Sequence, residues 1–298
     1  MTLRASAAAN RRGIACMVGA MGCFVINDAL VKFASQSMPS AQLIFIRGSM
    51  SLLLVLAIAH ALGATARIRE ASRGWVASRA LVDAVATMLY LGSLFHLPIG
   101  NATAINLAAP LFMTLFAALF MAERVRGARW LAVGAGFLGV LLVIQPRADG
   151  FNTWALVCLL GTLFHAARDL MTRRIDAGIP SILITLSTAV AVTVVSGSAS
   201  LLQGWKPFGL FEFGLLALAS VFLTGGYYLI INSMRHGEMT LVAPFRYSGL
   251  LFALVLGYGV WGEVPNTVAW FGIALLIGSG LFVLVIEKRR TPAAAPPD

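Results

Sequence analysis

Long apolar runs are the feature that most restricts what this chain can fold into. Several stretches reach the roughly 20 apolar residues that a helix needs to cross a bilayer. Only 11% of all residues are charged, whereas soluble domains carry about 25%. We therefore expect an all-α integral membrane protein. Its ten predicted transmembrane helices span residues 13–35, 41–62, 75–97, 102–122, 129–146, 153–174, 180–202, 211–233, 240–261 and 267–286.

The positive charges between these runs are distributed unevenly. Of the loops and tails, those on one side hold nearly all the Lys and Arg, and the other side holds only Arg147 and Lys206. Because basic residues accumulate in cytoplasmic loops, residues 1–12 and 287–298 are predicted to be cytoplasmic tails of a bacterial inner-membrane protein. The same pattern accounts for the net charge of +10 without nucleic acid as a partner, since no basic stripe is interleaved with aromatic residues.

The two halves of the chain resemble each other. The motif Asp28-x-x-x-Lys32 returns as Asp169-x-x-x-Arg173, 141 positions later, and Pro39-Ser40 returns as Pro180-Ser181 at the same offset. We therefore expect two five-helix repeats, over 13–146 and 153–286. Since five is odd, the second repeat must cross the membrane in the opposite sense. Inverted repeats of this kind are typical of secondary transporters, whose substrate site lies between the repeats.

Several motifs resemble the drug/metabolite transporter superfamily, EamA type. Lys32 ends the first helix and Arg47 lies early in the second. Two further stretches carry the resemblance, "PLFMTLFAALFMAERV" with Glu123 and "APFRYSGLLFALVLGYGVWGEVPN" with Glu263. The resemblance covers nearly the full length and implies ten helices, a central cavity and small organic solutes. The second half departs from the pattern, because Thr188 stands where Arg47 would have its counterpart.

The repeated acidic motifs are the first candidates for function. A charged side chain at bilayer depth is costly and persists mostly where it is paired or lines a wet cavity. Asp28 and Lys32 are four residues apart on one helix face and are predicted to pair, as are Asp169 and Arg173. Either pair is a structural ion pair that fixes a helix end, or it is a gate with a proton-binding carboxylate.

Further polar side chains lie at helical spacing on otherwise apolar helices. Arg79, Asp83 and Tyr90 form one stripe, which should face a cavity or another helix. Arg47 and Arg246 are candidate anion-binding groups, with pairing to Asp28 or Glu238 as the structural alternative. The predicted substrate, coupling and gate residues are Asp28, Lys32, Arg47, Asp83, Tyr90, Asn106, His165, Arg168, Asp169, Arg246 and Tyr247.

Function follows from the class of protein. No phosphate-binding loop is present, so a solute or proton gradient must drive transport. We expect alternating access for a small polar or amphipathic metabolite. The "CFVINDALVK" stretch resembles riboflavin-like vitamin uptake proteins, and an amino-acid, metabolite or drug exporter is the alternative. An intramembrane enzyme is a remote alternative, because the two Asp lack protease motifs and no Ser has an evident base. We expect no metal or cofactor, and partners limited to the solute, the lipid bilayer and protons, in a monomer or homodimer.

Overall fold

The computed structural model describes residues 3–120, 127–145, 152–172, 174–176, 178–236 and 242–288, and every regular element within these ranges is helical. Two short 3₁₀ segments, Ala64–Ser72 and Ala243–Tyr247, accompany the α-helices. The α-helices are α1 (Leu3–Ala34), α2 (Ser40–Ala61), α3 (Gly74–Leu94), α4 (Ile99–Asn106), α5 (Ala109–Phe120), α6 (Gly127–Ile144), α7 (Thr153–Thr172), α8 (Ser181–Gln203), α9 (Leu210–His236), α10 (Ser248–Trp261) and α11 (Thr267–Lys288).

Membrane-spanning character is evident in most of these helices. In the described part of the chain, seven helical stretches are long and apolar enough to cross a membrane, and Trp130–Ile144 and Thr267–Phe282 are shorter apolar helices. α3, which carries Arg79 and Asp83 in its interior, is not among them. Large apolar side chains such as Leu131, Val194 and Leu251 are more than half exposed, as expected where lipid replaces water. The chain is a multi-pass membrane protein.

The helix boundaries differ from the prediction in three places. The expected segment 102–122 is two helices, α4 and α5, because Pro110 lacks an N–H and its ring clashes with the carbonyl four residues earlier, at Asn106, where α4 ends. The expected segment 240–261 begins with the 3₁₀ turn that contains Pro244. α1 starts at Leu3 rather than at residue 13, since its first turns are rich in alanine, the best helix former.

The helices pair in a symmetric pattern. α1 packs mainly on α9 and α3 on α7, while α2 packs on α8, α4 on α10 and α6 on α11. In the expected correspondence between the halves, α1 matches α7, α2 matches α8, α3 matches α9, α4 with α5 matches α10, and α6 matches α11. When each helix is replaced by its match, the α1–α9 pair becomes the α7–α3 pair. The α2–α8, α4–α10 and α6–α11 pairs each stay the same. Pro39 and Pro180 precede α2 and α8 with nearly the same backbone angles, φ −58° and ψ 141° against φ −57° and ψ 131°.

α6 and α11 approach each other through glycine. A Cβ atom on Gly139 would lie 2.7 Å from the Gly272 carbonyl oxygen and 2.9 Å from the Leu276 nitrogen, and one on Gly272 would lie 2.6 Å from the Gly139 oxygen. The spacing Ala135-x-x-x-Gly139 therefore marks a true close contact, as small residues at this spacing do in membranes. On α11 the contact uses Gly272, whereas Gly278 has open space beside it.

Candidate functional site

Asp28 is held by a chain of hydrogen bonds that joins the first three helices. The Tyr90 hydroxyl of α3 donates to Asp28 Oδ2 at 3.0 Å, and Asn27 Nδ2 donates to Asp28 Oδ1 at 2.9 Å. Arg47 Nη1 of α2 donates to Asn27 Oδ1 at 3.2 Å. The carboxylate of Asp28 and the guanidinium of Arg47 are therefore connected through the neutral amide of Asn27 rather than by direct contact.

Asp83 is the centre of a second group, which joins α3, α7 and α8. Arg168 Nη1 donates to Asp83 Oδ1 at 2.8 Å, and Arg168 Nη2 lies 2.7 Å from Asp169 Oδ1. Arg79 Nη1 lies 3.5 Å from Asp83 Oδ2 and donates to Thr188 Oγ1 at 2.6 Å. The Asp83 side chain is only 3% exposed, and its charge is matched by two guanidinium groups.

His165 and Tyr90 connect the two groups. The rings of Tyr90 and His165 lie with their centroids 5.8 Å apart, and His165 Nδ1 lies 2.9 Å from Asn106 Oδ1. Eight of the predicted residues on α1, α2, α3, α4 and α7, all except Lys32, thus form one buried assembly together with Asn27 and Arg79. We call it the polar centre, and it consists of Asn27, Asp28, Arg47, Arg79, Asp83, Tyr90, Asn106, His165, Arg168 and Asp169.

The two groups correspond through the sequence repeat. Asn27, Asp28 and Arg47 match Arg168, Asp169 and Thr188 at the offset of 141. In the first group Arg47 approaches from α2, and in the second Thr188 of α8 instead accepts a hydrogen bond from Arg79. Asn27, Arg79 and Thr188 are not among the predicted site residues. The offset of 141 that links Asp28 to Asp169 also leads from Arg168 to Asn27 and from Arg47 to Thr188, and would have identified both.

The predicted ion pair between Asp28 and Lys32 is wrong. Lys32 Nζ lies 2.6 Å from Glu263 Oε1 and also donates to the Leu97 carbonyl oxygen at 2.6 Å. Residues four apart on a helix share a face only approximately. Here the last turn of α1 directs Lys32 toward the connections 95–98 and 262–266, whereas Asp28 faces α3. The Lys32 side chain is 9% exposed, so the pair is largely shielded from solvent.

Glu263 completes this contact from the second half of the chain. Its Oε2 accepts the backbone N–H of Ile99 at 2.8 Å, which satisfies a donor at the start of α4. The Trp261 ring lies 5.0 Å from Lys32 Nζ, within the range of a cation–π contact. We call Lys32, Leu97, Ile99, Trp261 and Glu263 the latch, because they join the end of α1, the start of α4 and the α10–α11 connection.

A cavity of about 320 Å³ lies beside the latch. Its lining includes Pro98, Asn101, Leu254, Glu263 and Asn266, from α4, α10 and their connections. At its rim Gln145 and Asn266 exchange two amide hydrogen bonds, at 2.6 and 2.9 Å, which tie the end of α6 to the start of α11. The cavity and the latch therefore occupy the same end of the bundle.

The remaining predicted residues have different surroundings from those expected. Asp169 is paired with Arg168, and its expected partner Arg173 lies outside the described residues. Arg246 is half-buried on the 3₁₀ turn, and its charge is close enough to act on Asp169. Glu238, the proposed alternative partner of Arg246, also lies outside the described ranges. Tyr247 does not reach the polar centre through any described bond, and its hydroxyl packs against Gly280 of α11.

Comparison with known proteins decides the family. The sequence model of the EamA-like transporter family matches twice, over residues 11–145 and 152–285. The chain belongs to the EamA-like transporter family. The resemblance drawn from Lys32, Arg47 and the motifs around Glu123 and Glu263 is thereby confirmed.

Relatives of this EamA-like transporter carry several transport functions. The pseudopaline exporter of Pseudomonas aeruginosa is 28% identical over 94% of this chain and 97% of its own. The riboflavin transporter of Rhizobium johnstonii is 30% identical over 72% of this chain and 70% of its own. The S-adenosylmethionine uptake transporter of Rickettsia prowazekii is 24% identical over 89% of each chain.

A solved crystal structure shows the same fold as this EamA-like transporter. It superposes with a TM-score of 0.66 at 17% sequence identity, over 94% of this chain and 99% of the other. The family and the named relatives are transporters, so the general prediction of metabolite transport is confirmed. The expectation that the protein is a transporter rather than an enzyme agrees with this family.

Proposed function

We propose that this protein is a secondary transporter that moves a small polar or amphipathic organic metabolite by alternating access. It crosses the bacterial inner membrane ten times, as two inverted five-helix repeats over 13–146 and 153–286, with both termini in the cytoplasm. The observation that carries the proposal is the polar centre, in which α1, α2 and α3 meet α7 and α8 around buried charges. Such charges inside a membrane bundle mark substrate or ion pathways.

The latch gives alternating access a physical basis. Lys32 belongs to the first half and Glu263 to the second, so their contact holds the halves together at the end that the charge distribution assigns to the outside. Separation of this pair would open the cavity beside the latch toward the polar centre. We propose that the protein alternates between this closed form and one in which the latch is broken. Inverted repeats reach both forms by exchanging their conformations.

The substrate is proposed from the relatives together with the polar centre. Riboflavin-like vitamin uptake is the first candidate, supported by the riboflavin transporters among the relatives. Export of a metabolite is the second, supported by the pseudopaline exporter. A gradient-driven carrier runs in either direction, so uptake and export would use the same substrate site. Asp28, Asp83, Asp169 and His165 are the groups through which protons would couple.

Flux into liposomes tests the proposal. Purified protein is reconstituted, and uptake of labelled riboflavin, S-adenosylmethionine and amino acids is measured with and without a pH gradient. We expect saturable uptake of at least one solute that protein-free liposomes lack. Asp83→Asn should abolish it, and Glu212→Gln, which changes a partly exposed carboxylate that accepts the Gly209 N–H near the start of α9, should leave it unchanged. If no solute enters above the protein-free background, or if Asp83→Asn transports normally, the proposed function or site is wrong.

A further inference from the structure

The charges of the polar centre are not evenly paired. Arg168 contacts two carboxylates, Asp83 and Asp169, and Arg79 shares Asp83. Arg47, in contrast, forms no ion pair with any residue that the structure describes. Its partner is the neutral amide oxygen of Asn27. One guanidinium of the assembly is therefore left without direct contact to a carboxylate.

Arg47 is also deeply buried. The residue is 4% exposed, and its Nε makes no hydrogen bond. A buried donor without a partner costs about 1–3 kcal/mol, and more when the group is charged. Arg168, on the neighbouring group, directs Nε and both Nη atoms to carboxylate oxygens. The contrast shows what Arg47 lacks, which is an anionic acceptor on its Nε side.

The repeat does not prescribe an arginine at this position, because Thr188 holds the corresponding place on α8. A purely structural Arg47 would be expected to have its donors satisfied by the protein, because buried polar groups in native structures nearly always are. The unpaired Nε is instead the feature of a group that receives its partner from outside.

We infer that Arg47 is the subsite for a carboxylate of the transported solute. The inference rests on the proposed function and, among its candidate substrates, favours metabolites that carry a carboxylate over riboflavin, which has none. A guanidinium offers two parallel N–H donors along one edge, and a carboxylate accepts both in a fork geometry. With the solute bound, Arg47 gains the directly contacting anionic acceptor that it lacks, since Asp28 is connected to it only through Asn27, and Asn27 keeps Nη1 in place.

Thermal unfolding of the purified protein without solute tests this assignment independently of transport. Arg47→Met removes a buried guanidinium that no carboxylate of the described residues contacts directly and leaves Asp28 its two neutral hydrogen-bond donors, Asn27 and Tyr90, so the unfolding temperature should change little. The matched variant Arg168→Met leaves Asp83 and Asp169 without their shared cation, and its unfolding temperature should fall by about 5 °C or more. If Arg47→Met lowers the unfolding temperature as much as Arg168→Met, Arg47 is structural and the inference is wrong.

Flux with matched solutes tests the class of ligand. Two pairs differ only by a carboxylate: S-adenosylmethionine with its decarboxylated form, and tyrosine with tyramine. We expect uptake of the carboxylate member of a pair at least tenfold faster, with Arg47→Met abolishing the difference and Arg47→Lys restoring part of it.

Each other outcome has a defined meaning. Riboflavin, which has no carboxylate, transported equally by the wild type and Arg47→Met would overturn the carboxylate subsite while leaving the transporter function intact. Uptake of flavin mononucleotide in preference to riboflavin, lost in Arg47→Met, would assign Arg47 to phosphate and overturn the carboxylate class. If no probe moves, the proposed substrates are wrong, and the unfolding comparison alone decides whether Arg47 is structural.

Discussion

Lys32 shows how a single side chain can join distant parts of a membrane protein. Its ammonium group has two contacts of 2.6 Å, with Glu263 and the Leu97 carbonyl oxygen, and its side chain is 9% exposed. The pair between Arg67 and Glu70 has a similar distance, 2.8 Å, but its side chains are 50% and 27% exposed. Exposed pairs contribute about 0–1 kcal/mol. A shielded pair that loses one member leaves an uncompensated charge, which is strongly destabilising.

Removal of Lys32 should therefore open the latch end of the bundle. Leu254→Cys, in the cavity beside the latch, serves as a reporter after Cys16, Cys23 and Cys158 are replaced by serine. In the Lys32→Met variant we expect a membrane-impermeant maleimide, added outside intact cells, to label this cysteine several-fold faster. Arg67→Met, which breaks only an exposed pair, is the control and should not change the rate. An unchanged rate in Lys32→Met would show that the pair does not close the cavity.

Sequence patterns pointed to several members of the polar centre, but not to the partners of their side chains. The repeated motif pointed to Asp28 and Asp169, and helical spacing pointed to Asp83 and Tyr90, because these signals lie within single helices. The partner of Lys32 lies 231 residues away, and no local pattern reports which way the last turn of a helix is rotated. Local patterns also do not report the partners of Arg168, because one of its two carboxylates, Asp169, lies on its own helix and the other, Asp83, lies on α3.

At the level of helices, apolar length predicted where each segment lies, and backbone chemistry decided where it breaks. Apart from the three differences described above, the expected segments follow the described helices, because about 20 apolar residues leave few alternatives in a bilayer. The interruption before Pro110 was not predicted, although the missing N–H of proline is its cause. The close approach of α6 and α11 joins Gly139 to Gly272, and only the structure shows which glycine of α11 is the partner.

The α6–α11 contact should be sensitive to one methyl group. In Gly139→Ala the new Cβ would meet the Gly272 oxygen and the Leu276 nitrogen. Both are backbone atoms, so the helices must separate. We expect a loss of about 1–3 kcal/mol, measured as a lower unfolding temperature in detergent. Gly278→Ala on α11 has open space and should be neutral or stabilising, since alanine favours helix. Equal unfolding temperatures for both variants would contradict the close contact.

Across the whole molecule, the symmetric pairing of helices means that each half is completed by the other. α1 packs on α9 and α3 on α7, so each half supplies both kinds of partner. The polar centre draws on both sets of helices, and the latch joins them at one end. This arrangement agrees with the proposal of two repeats that cross the membrane in opposite directions, which requires a defined orientation of the chain.

The orientation of the chain in the membrane can be tested with two serine-to-cysteine substitutions, one in each of two successive connections. Ser37 and Ser72 are both exposed and lie in successive connections, after α1 and after α2. In the variant without native cysteines, Ser37→Cys should react with an impermeant thiol reagent on intact cells, because the charge distribution places it outside. Ser72→Cys should react only after the cells are permeabilised. The reverse result would place both termini outside and would exchange the two faces of the proposed mechanism.

The separation of Lys32 from Glu263 also has a consequence for synthesis. Ribosomes add about 5–20 residues per second, so the 231 positions between these residues take on the order of 10–50 s to make. During that interval α1 is already in the membrane, and the lysine has neither its carboxylate nor α9 beside it. The newly inserted helix must keep this ammonium group hydrated at the membrane surface until the ninth α-helix and the connection after the tenth arrive. The contact that closes this end of the bundle can therefore form only late in synthesis.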